Sequence, residues 1–431
     1  VAREFGGVPL DEVFERFDFD DLLGSASIGQ VHRARYRGRD VVVKVMRPDA
    51  ERTFRGDVFA VKRLCKELFP QYYVAFEEIE KQFATEFDYR GEAANSEAVR
   101  RNLLLESNTN NNSDSSFASF VVVPRVVLAT KRVLVMEEIA HAEPLTAVLA
   151  RLADGEARRR GLASIDALRA DEDRLDAEFA ARGEVRTNGL FAKVTGFVRQ
   201  AASSGTTALS LDPATLVDRL LAVHGHEVLV DGLFNADPHP GNVLVVDGGR
   251  RLGLIDYGQV KRLDTATRLR LARLVLLVDA AVASDARTTR RPDDAVLRKR
   301  HRAARRAVAA EMLDAGFRTR DCDVDVLYDM ASVYFGRDDR AWIYPHNFQQ
   351  WTEAIERRDP VRSLDACEEM VMVVRCGLLI RGLGHCLREH RNLATAWKPI
   401  ATQVLRDAGE LDALRAQIAA FDDDAEDEVA A

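Results

Sequence analysis

The chain has 431 residues, 47% of them hydrophobic and 30% charged, ordinary proportions for a globular protein with room for two or three compact lobes, which exclude disorder throughout. A formal net charge of −8 excludes a nucleic-acid binder that works by bulk positive potential, and the basic run Arg298 to Arg306 reads as a solvated helix face. Cys65, Cys322, Cys367, Cys376 and Cys386 lack CxxC spacing, so the sequence supports neither a zinc knuckle nor a dense disulfide framework, and no further ligand completes a set around His224, His226 or His239.

From the amino terminus, GSASIGQ (24–30) is a small-residue loop able to bring backbone N–H groups close to phosphate. Gln30 to Tyr36 alternates as a strand, and Arg37 to Arg39 turns around Gly38. DVVVKVM (40–46) is a β-branched apolar run containing Lys44, a residue costly to bury unless paired. Lys44 is either an edge-strand lysine in water or the lysine that holds a nucleotide's phosphates. EFDYRGEAANSEAVRRNLL (86–104) reads as a helix with acids at Glu86, Asp88 and Glu92. These form a solvated acidic face or supply a partner for Lys44 or Mg²⁺, and spacing alone leaves both open. SNTNNNSDSS (107–116) is polar and of low complexity. Leu145 to Leu152 opens a larger lobe, and residues 154–210, rich in Ala, Arg, Asp and Glu, read as a charged helical segment, either a solvated spacer or a partner-binding arm. Leu211 to Phe234 carries helical apolar spacing at Leu216, Leu220, Leu221 and Val228 and delivers the segment NADPHPGN (235–242).

That segment, with LIDYG (254–258), is the most informative stretch. Asp237 and Asn242 stand five apart, the separation of catalytic aspartate and metal-binding asparagine in the kinase loop HRDxxxxN, and Asp256 lies in a DYG that can stand for DFG. Mg²⁺ is a hard cation that takes oxygen ligands, which the Asp256 carboxylate and the Asn242 amide provide. Asp237 would orient or deprotonate the nucleophile. Pro238, Pro240 and Gly241 restrict the loop between them. A plain Asp-Pro-Gly turn is the alternative. The apolar runs Val243 to Val246 and Leu252 to Ile255, a hairpin around Asp247 to Gly249, place Asp256 at a strand end and favour the catalytic reading. Beyond Tyr257, helices are predicted over Thr265 to Ala283, Ala295 to Ala315, Val324 to Tyr334 and Leu364 to Glu389. The longest apolar helix, Leu271 to Ala283, is interrupted by Arg273 and Asp279 and is shorter than the ~20 residues of a bilayer span, so no transmembrane segment or cleavable signal is predicted. Asp422 to Glu428 is a like-charge run, predicted to be disordered.

The motifs GSASIGQVHRA, VVVKVMRP, EFDYRGEAAN, VPRV with RVLVMEEI, DGLFNADPHPGN and LIDYG resemble, in order, those of the UbiB/AarF/ADCK family of atypical kinase-like proteins, across roughly residues 1 to 262. The resemblance implies an α+β, two-lobed protein-kinase-like fold. Its small β-rich amino-terminal lobe would span 1–137 and its mostly helical carboxy-terminal lobe 138–405, with the insertion at about 154–210, followed by a helix and acidic tail at 406–431. It further implies that Lys44 is the phosphate-binding lysine, Glu92 its ion-pair partner, Glu86 and Asp88 the ExD signature, Asp237 the catalytic-loop aspartate, and Asn242 and Asp256 the metal ligands. Ser25, Ala26 and Ser27 match the Ala-rich loop, and Glu137 to Ile139 the hinge whose backbone contacts adenine.

The implied cofactors are ATP or ADP with Mg²⁺. The implied setting is coenzyme Q or other prenyl-lipid metabolism, with a lipid or membrane-surface contact, a lipid-biosynthesis protein complex and no nucleic acid. The implied place is the mitochondrion or plastid in a eukaryote, or the cytoplasmic face of the membrane in a prokaryote. Two features depart from the family. The chain opens at Val1 without the upstream KxGQ signature or a Met, so it reads as a fragment or processed chain, and the Ala-rich loop is GSAS. Two functions are therefore weighed: an ATPase or small-molecule kinase, and a catalytically silent nucleotide-binding scaffold. An ordinary protein kinase fits less well, because neither a kinase-type glycine-rich loop nor an APE-like element follows the pattern.

Overall fold

A computed structural model describes residues 1–25, 28–68, 80, 86–104, 117–181, 212–290, 294–337, 348–363, 368–387 and 389–427. The chain forms two compact units, one from Val1–Val148 with Asn235–Val260, the other from Asp212–Phe234 and Lys261–Ala431 with the described part of Leu149–Gly205. The segments around Asp237 and Asp256 thus belong to the same unit as Lys44.

The first unit is built on an antiparallel sheet of β1 (Arg16–Ser25), β2 (Gly29–Tyr36), β3 (Arg39–Met46), β6 (Val133–Glu137) and β5 (Val126–Ala129), in that order. The β2–β3 turn places Arg37 at φ 50° and Gly38 at φ 75°, the left-handed pair that a tight hairpin requires. β3 is a central strand, in register with Val31 on one side of Lys44 and Leu134 on the other. Strand periodicity sorts its side chains between two apolar layers. Val41 and Val43 join Phe14, Ala34, Val133 and Val135 on one face. Met46 joins Tyr89, Ala93, Leu134 and Met136 on the other, with Val42 packed against them. Lys44 shares the alternation of Val42 and Met46 and so faces the helix that carries Glu92. At the start of β2, a Cβ on Gly29 would lie 2.7 Å from both Tyr89 Oη and Val45 O, so only glycine fits where strand and helix meet.

α1 (Ala50–Leu68) follows β3, and α2 (Tyr89–Leu104) carries the acidic motif. The predicted helix over 86–104 begins three residues late. The Asp88 carboxylate accepts the Arg90 N–H at 3.1 Å, a local side-chain turn that starts the helix and leaves Glu86 and Phe87 outside it. A second sheet runs β4 (Val121–Val122), β10 (Arg251–Leu254), β9 (Val243–Val246) and β7 (Ala142–Pro144), with β8 (Leu233–Asn235) preceding β9 along the chain. Its β9–β10 turn holds Asp247, Gly248 and Gly249 at positive φ, as the predicted hairpin needs.

The second unit is helical. α3 (Leu145–Arg159) leads into it and α4 (Ile165–Ala181) follows, so that residues 154–181 are the described part of the predicted insertion; residues 182–211 lie outside the described residues. α5 (Pro213–His226) is capped by Asp212 accepting Thr215 N–H, and ends in a π turn over Glu227–Asp231 with Gly232 at φ 64°. α6 (Thr265–Arg290), α7 (Ala295–Asp314), α8 (Val324–Ala331), α9 (Phe348–Arg358), α10 (Glu368–Leu387), α11 (Leu393–Asp407) and α12 (Leu411–Asp427) complete it. Trp397 of α11 is fully buried and donates its indole N–H to Leu221 O at 2.9 Å.

Two readings are corrected in this unit. The segment long and apolar enough to cross a membrane is not Leu271 to Ala283 but Glu369–Leu387 of α10, within the helix predicted over Leu364 to Glu389, and most of it is buried inside the unit. Its buried Arg381 donates to the carbonyls of Val333, Gly336 and Arg337. The acidic run from Asp422 is not irregular, since α12 continues to Asp427. Leu411, Leu414 and Phe421, buried at helical spacing, carry the helix past the point where charge alone would end it. No disulfide joins the described cysteines.

Candidate active site

Lys44 is 7% exposed, and only compensation makes that tolerable. Its Nζ donates to Glu92 Oε1 at 2.8 Å and Oε2 at 2.9 Å, and to Asp256 Oδ2 at 3.1 Å. The Tyr89 ring lies 5.2 Å away, centroid to ammonium. Burial alone would lower the lysine pKa, but Asp256 and Glu92 together push it above its ordinary value. Burial raises the Glu92 carboxyl against the pull of Lys44. Asp256 goes the other way: burial opposes ionisation, and Lys44 with the Gly258 N–H overcomes it, so its carboxyl is held below the usual range.

Asp256 is fixed from behind. Gly258 N–H donates to its Oδ1 at 2.9 Å, and Asn235 Nδ2 donates to its backbone carbonyl at 2.8 Å. A Cβ on Gly258 would stand 3.2 Å from Asp256 Oδ1, a tight contact that the carboxylate could relieve only by shifting a few tenths of an ångström. The same Asn235 accepts the Asp237 N–H at 2.8 Å, so one amide ties the Asp237 loop to the Asp256 segment. Within the loop, His239 N–H donates to Asp237 O and Asn242 N–H to His239 O, at 2.7 and 2.8 Å. Asn242 turns its Nδ2 toward Asp237 O at 3.4 Å, which leaves Oδ1 as its acceptor face.

These groups line one cavity of about 660 Å³, with Lys44, Glu86, Asp237, Asn242 and Asp256 on its polar side. Val31, Val42, Met136, Leu244 and Ile255 supply apolar walls. Glu137 and Ile139 line it too, and the amides of Glu137 and Glu138 are already bonded to the carbonyls of Arg125 and Asp40. Arg39 pairs with Glu137 and Arg33 with Glu138, clipping this segment to β3 and β2. Asp88 is not among the lining residues; its carboxylate is paired with Arg90 instead. Ala26, Ser27 and the Ser25 side chain lie outside the described residues.

Sequence reasoning missed Gln259 and Asn235. Gln259 is 5% exposed and donates Nε2–H to Glu86 Oε1 at 2.5 Å while its backbone carbonyl accepts the Ala236 N–H at 2.8 Å. Its position directly after DYG was the available signal. Burial pushes Glu86 up to about 7, against the Gln259 hydrogen bond and helped by Asp256. A carboxyl raised on folding contributes stability at low pH that is lost as pH rises through its folded value. Glu86→Gln is therefore expected to raise the thermal midpoint above wild type at pH 8, with the gain disappearing near pH 4.5; an equal gain at both values contradicts the assignment.

The oxygen donors fit a small hard cation. Among the described residues no group of three or more His, Cys, Asp or Glu forms a protein cage, but Mg²⁺ takes one or two carboxylates, keeps waters and completes its shell with phosphate oxygens. The Asp256 carboxylate and the Asn242 Oδ1 provide such a partial set.

An antiparallel sheet whose central lysine pairs with a helix glutamate, sharing a cavity with a loop spaced Asp-x₄-Asn and a following DYG, places this unit in the kinase-like class of folds. The chain belongs to the ABC1 atypical kinase-like domain family, whose profile matches residues 1–159 and 196–290, more than half of its length. It is 28% identical over 281 residues to AarF domain-containing protein kinase 1 of Xenopus laevis, covering 62% of this chain and 41% of that one. Against the chloroplastic protein ACTIVITY OF BC1 COMPLEX KINASE 8 of Arabidopsis thaliana it is 27% identical over 274 residues, 60% of this chain and 27% of the relative. A protein named "Probable protein kinase UbiB" from Aliivibrio fischeri is 39% identical over 112 residues, 24% of this chain and 20% of the relative. The chain spans less than half the length of each of these relatives.

Proposed function

We propose that this chain is an ATP-dependent enzyme, an ATPase or small-molecule kinase using Mg-ATP, that supports coenzyme Q or other prenyl-lipid metabolism. The observation that carries it is Lys44 bridging Glu92 and Asp256 at the wall of a cavity that Asp237 and Asn242 also line. Phosphoryl transfer needs positioning and electrostatic stabilisation more than covalent help from the protein, and this arrangement offers both.

In this reading the adenine lies between the apolar walls against the backbone of Glu137 to Ile139. Lys44, held by Glu92, meets the phosphates, assisted by the loop at Ser25, Ala26 and Ser27. Asp256 and Asn242 hold Mg²⁺, which when bound neutralises charge on the phosphate oxygens. Asp237 orients the attacking hydroxyl or water and accepts its proton. Glu86, with Asp88 beside it in sequence, belongs to the family's acidic signature and stands at the polar side of the cavity, restrained by Gln259.

By analogy with the family we assign a lipid or membrane-surface contact and a lipid-biosynthesis complex, in the mitochondrion or plastid of a eukaryote or at the cytoplasmic face of a prokaryotic membrane. Phosphate release by the purified chain tests the enzymatic reading. ATP with magnesium is expected to give turnover that EDTA stops; nucleotide binding without turnover, even with lipid present, would instead mark a silent scaffold.

A further inference from the structure

No metal-ligand set forms around His239 in the sequence, yet it lines the same cavity as Asp237 and Asn242. Its ring nitrogen Nδ1 accepts the Gly241 N–H at 3.0 Å, capping the short 3₁₀ turn Pro240–Asn242. An amide can donate only to an unprotonated nitrogen, so in the neutral ring the proton sits on Nε2. The contact is close enough to constrain the next residue but one, since a Cβ on Gly241 would lie 3.1 Å from Nδ1. Backbone bonds hold the residue as well: its N–H donates to Asp237 O and its carbonyl accepts from Asn242. The imidazole is therefore fixed in orientation and tautomer by the same loop that presents Asp237, with an N–H donor on the ring edge away from Gly241.

On the nucleotide reading above, we infer that His239 is a further catalytic residue whose Nε2–H donates to an oxygen of the phosphoryl group under transfer. A preorganised donor aimed at developing charge stabilises the transition state more than the ground state. No bond to the ring forms or breaks, and the proton stays on Nε2 throughout. The competing explanation is that His239 only caps its turn.

His239→Asn separates the two. Asparagine is a preferred capping residue and can accept the Gly241 N–H through Oδ1, but it has no group in the place of Nε2. With the whole chain, thermal shifts are read with Mg-ADP and with Mg-ADP plus aluminium fluoride, a mimic of the transferring phosphoryl group. Wild type is expected to shift with Mg-ADP and further with fluoride. The variant is expected to keep the first shift, lose most of the second, and release phosphate about 10–100-fold more slowly, less than the 10²–10³ typical of a fully enclosed donor because the ring is exposed. A variant matching wild type in all three readouts overturns the proposal in favour of a cap. Loss of the Mg-ADP shift also overturns it, by making His239 a ground-state or loop residue. Absence of any shift in wild type removes the nucleotide reading itself.

Discussion

Lys44→Met is expected to destabilise the protein by about 3–5 kcal/mol at pH 8, the usual cost of stripping one partner from a buried ion pair, and to slow phosphate release by about a hundredfold or more. The stability loss arises mainly at Glu92, which is 3% exposed and receives two hydrogen bonds from the Lys44 ammonium. Without that ammonium the buried carboxyl can be accommodated only by protonation. Burial already raises it in the wild type, and the variant raises it further. The sign of the pH dependence follows. Below the unfolded carboxyl value the group is neutral in both states and the penalty is absent; as pH rises, the unfolded chain ionises first and stability falls until the folded value is passed. Urea unfolding of variant against wild type should show little difference near pH 4 and a growing deficit toward pH 8. Adding Glu92→Gln should restore most of the stability and none of the activity. A deficit that ignores pH, or a double variant no more stable than the single, contradicts the assignment of Lys44 and Glu92 as a mutually dependent pair.

Asp256→Asn separates chemistry from stability. The asparagine keeps an oxygen for the Gly258 N–H, and Lys44 keeps Glu92, so the fold should lose only about 1 kcal/mol, the net value of a typical hydrogen bond. What disappears is the negative charge that suits a divalent cation. Phosphate release should fall by about 10²–10³, and nucleotide affinity should become the same with magnesium and with EDTA. A variant that turns over at the wild-type rate removes Asp256 from the site.

How much was legible beforehand depended on whether the signal was local. Lys44 was legible as a candidate, because a lysine in a β-branched run either faces water from an edge or meets a partner; the central place of β3, with Lys44 on the side of Val42 and Met46, decides between the two. The β9–β10 hairpin was equally plain, since Asp247, Gly248 and Gly249 tolerate the positive φ that its turn demands. The acidic motif was only half legible. Glu86, Asp88 and Glu92 look alike as letters, but a turn before α2 sends Glu86 to the cavity, Asp88 to Arg90 and Glu92 to Lys44. Asn235 and Gln259 act through contacts 21 and 173 residues away in sequence, which no spacing reveals. The helical unit hid two features for the same reason. Burial of the apolar α10 and continuation of α12 past Phe421 depend on what packs against them.

Isothermal titration of ATP into the intact chain, with magnesium and with EDTA, measures most directly whether Lys44, Asp237, Asn242 and Asp256 together grip a metal nucleotide. One site is expected, occupied tightly only when magnesium is present and lost in Asp256→Asn. Binding that is absent in the wild type, or that is indifferent to both magnesium and Asp256, would contradict it.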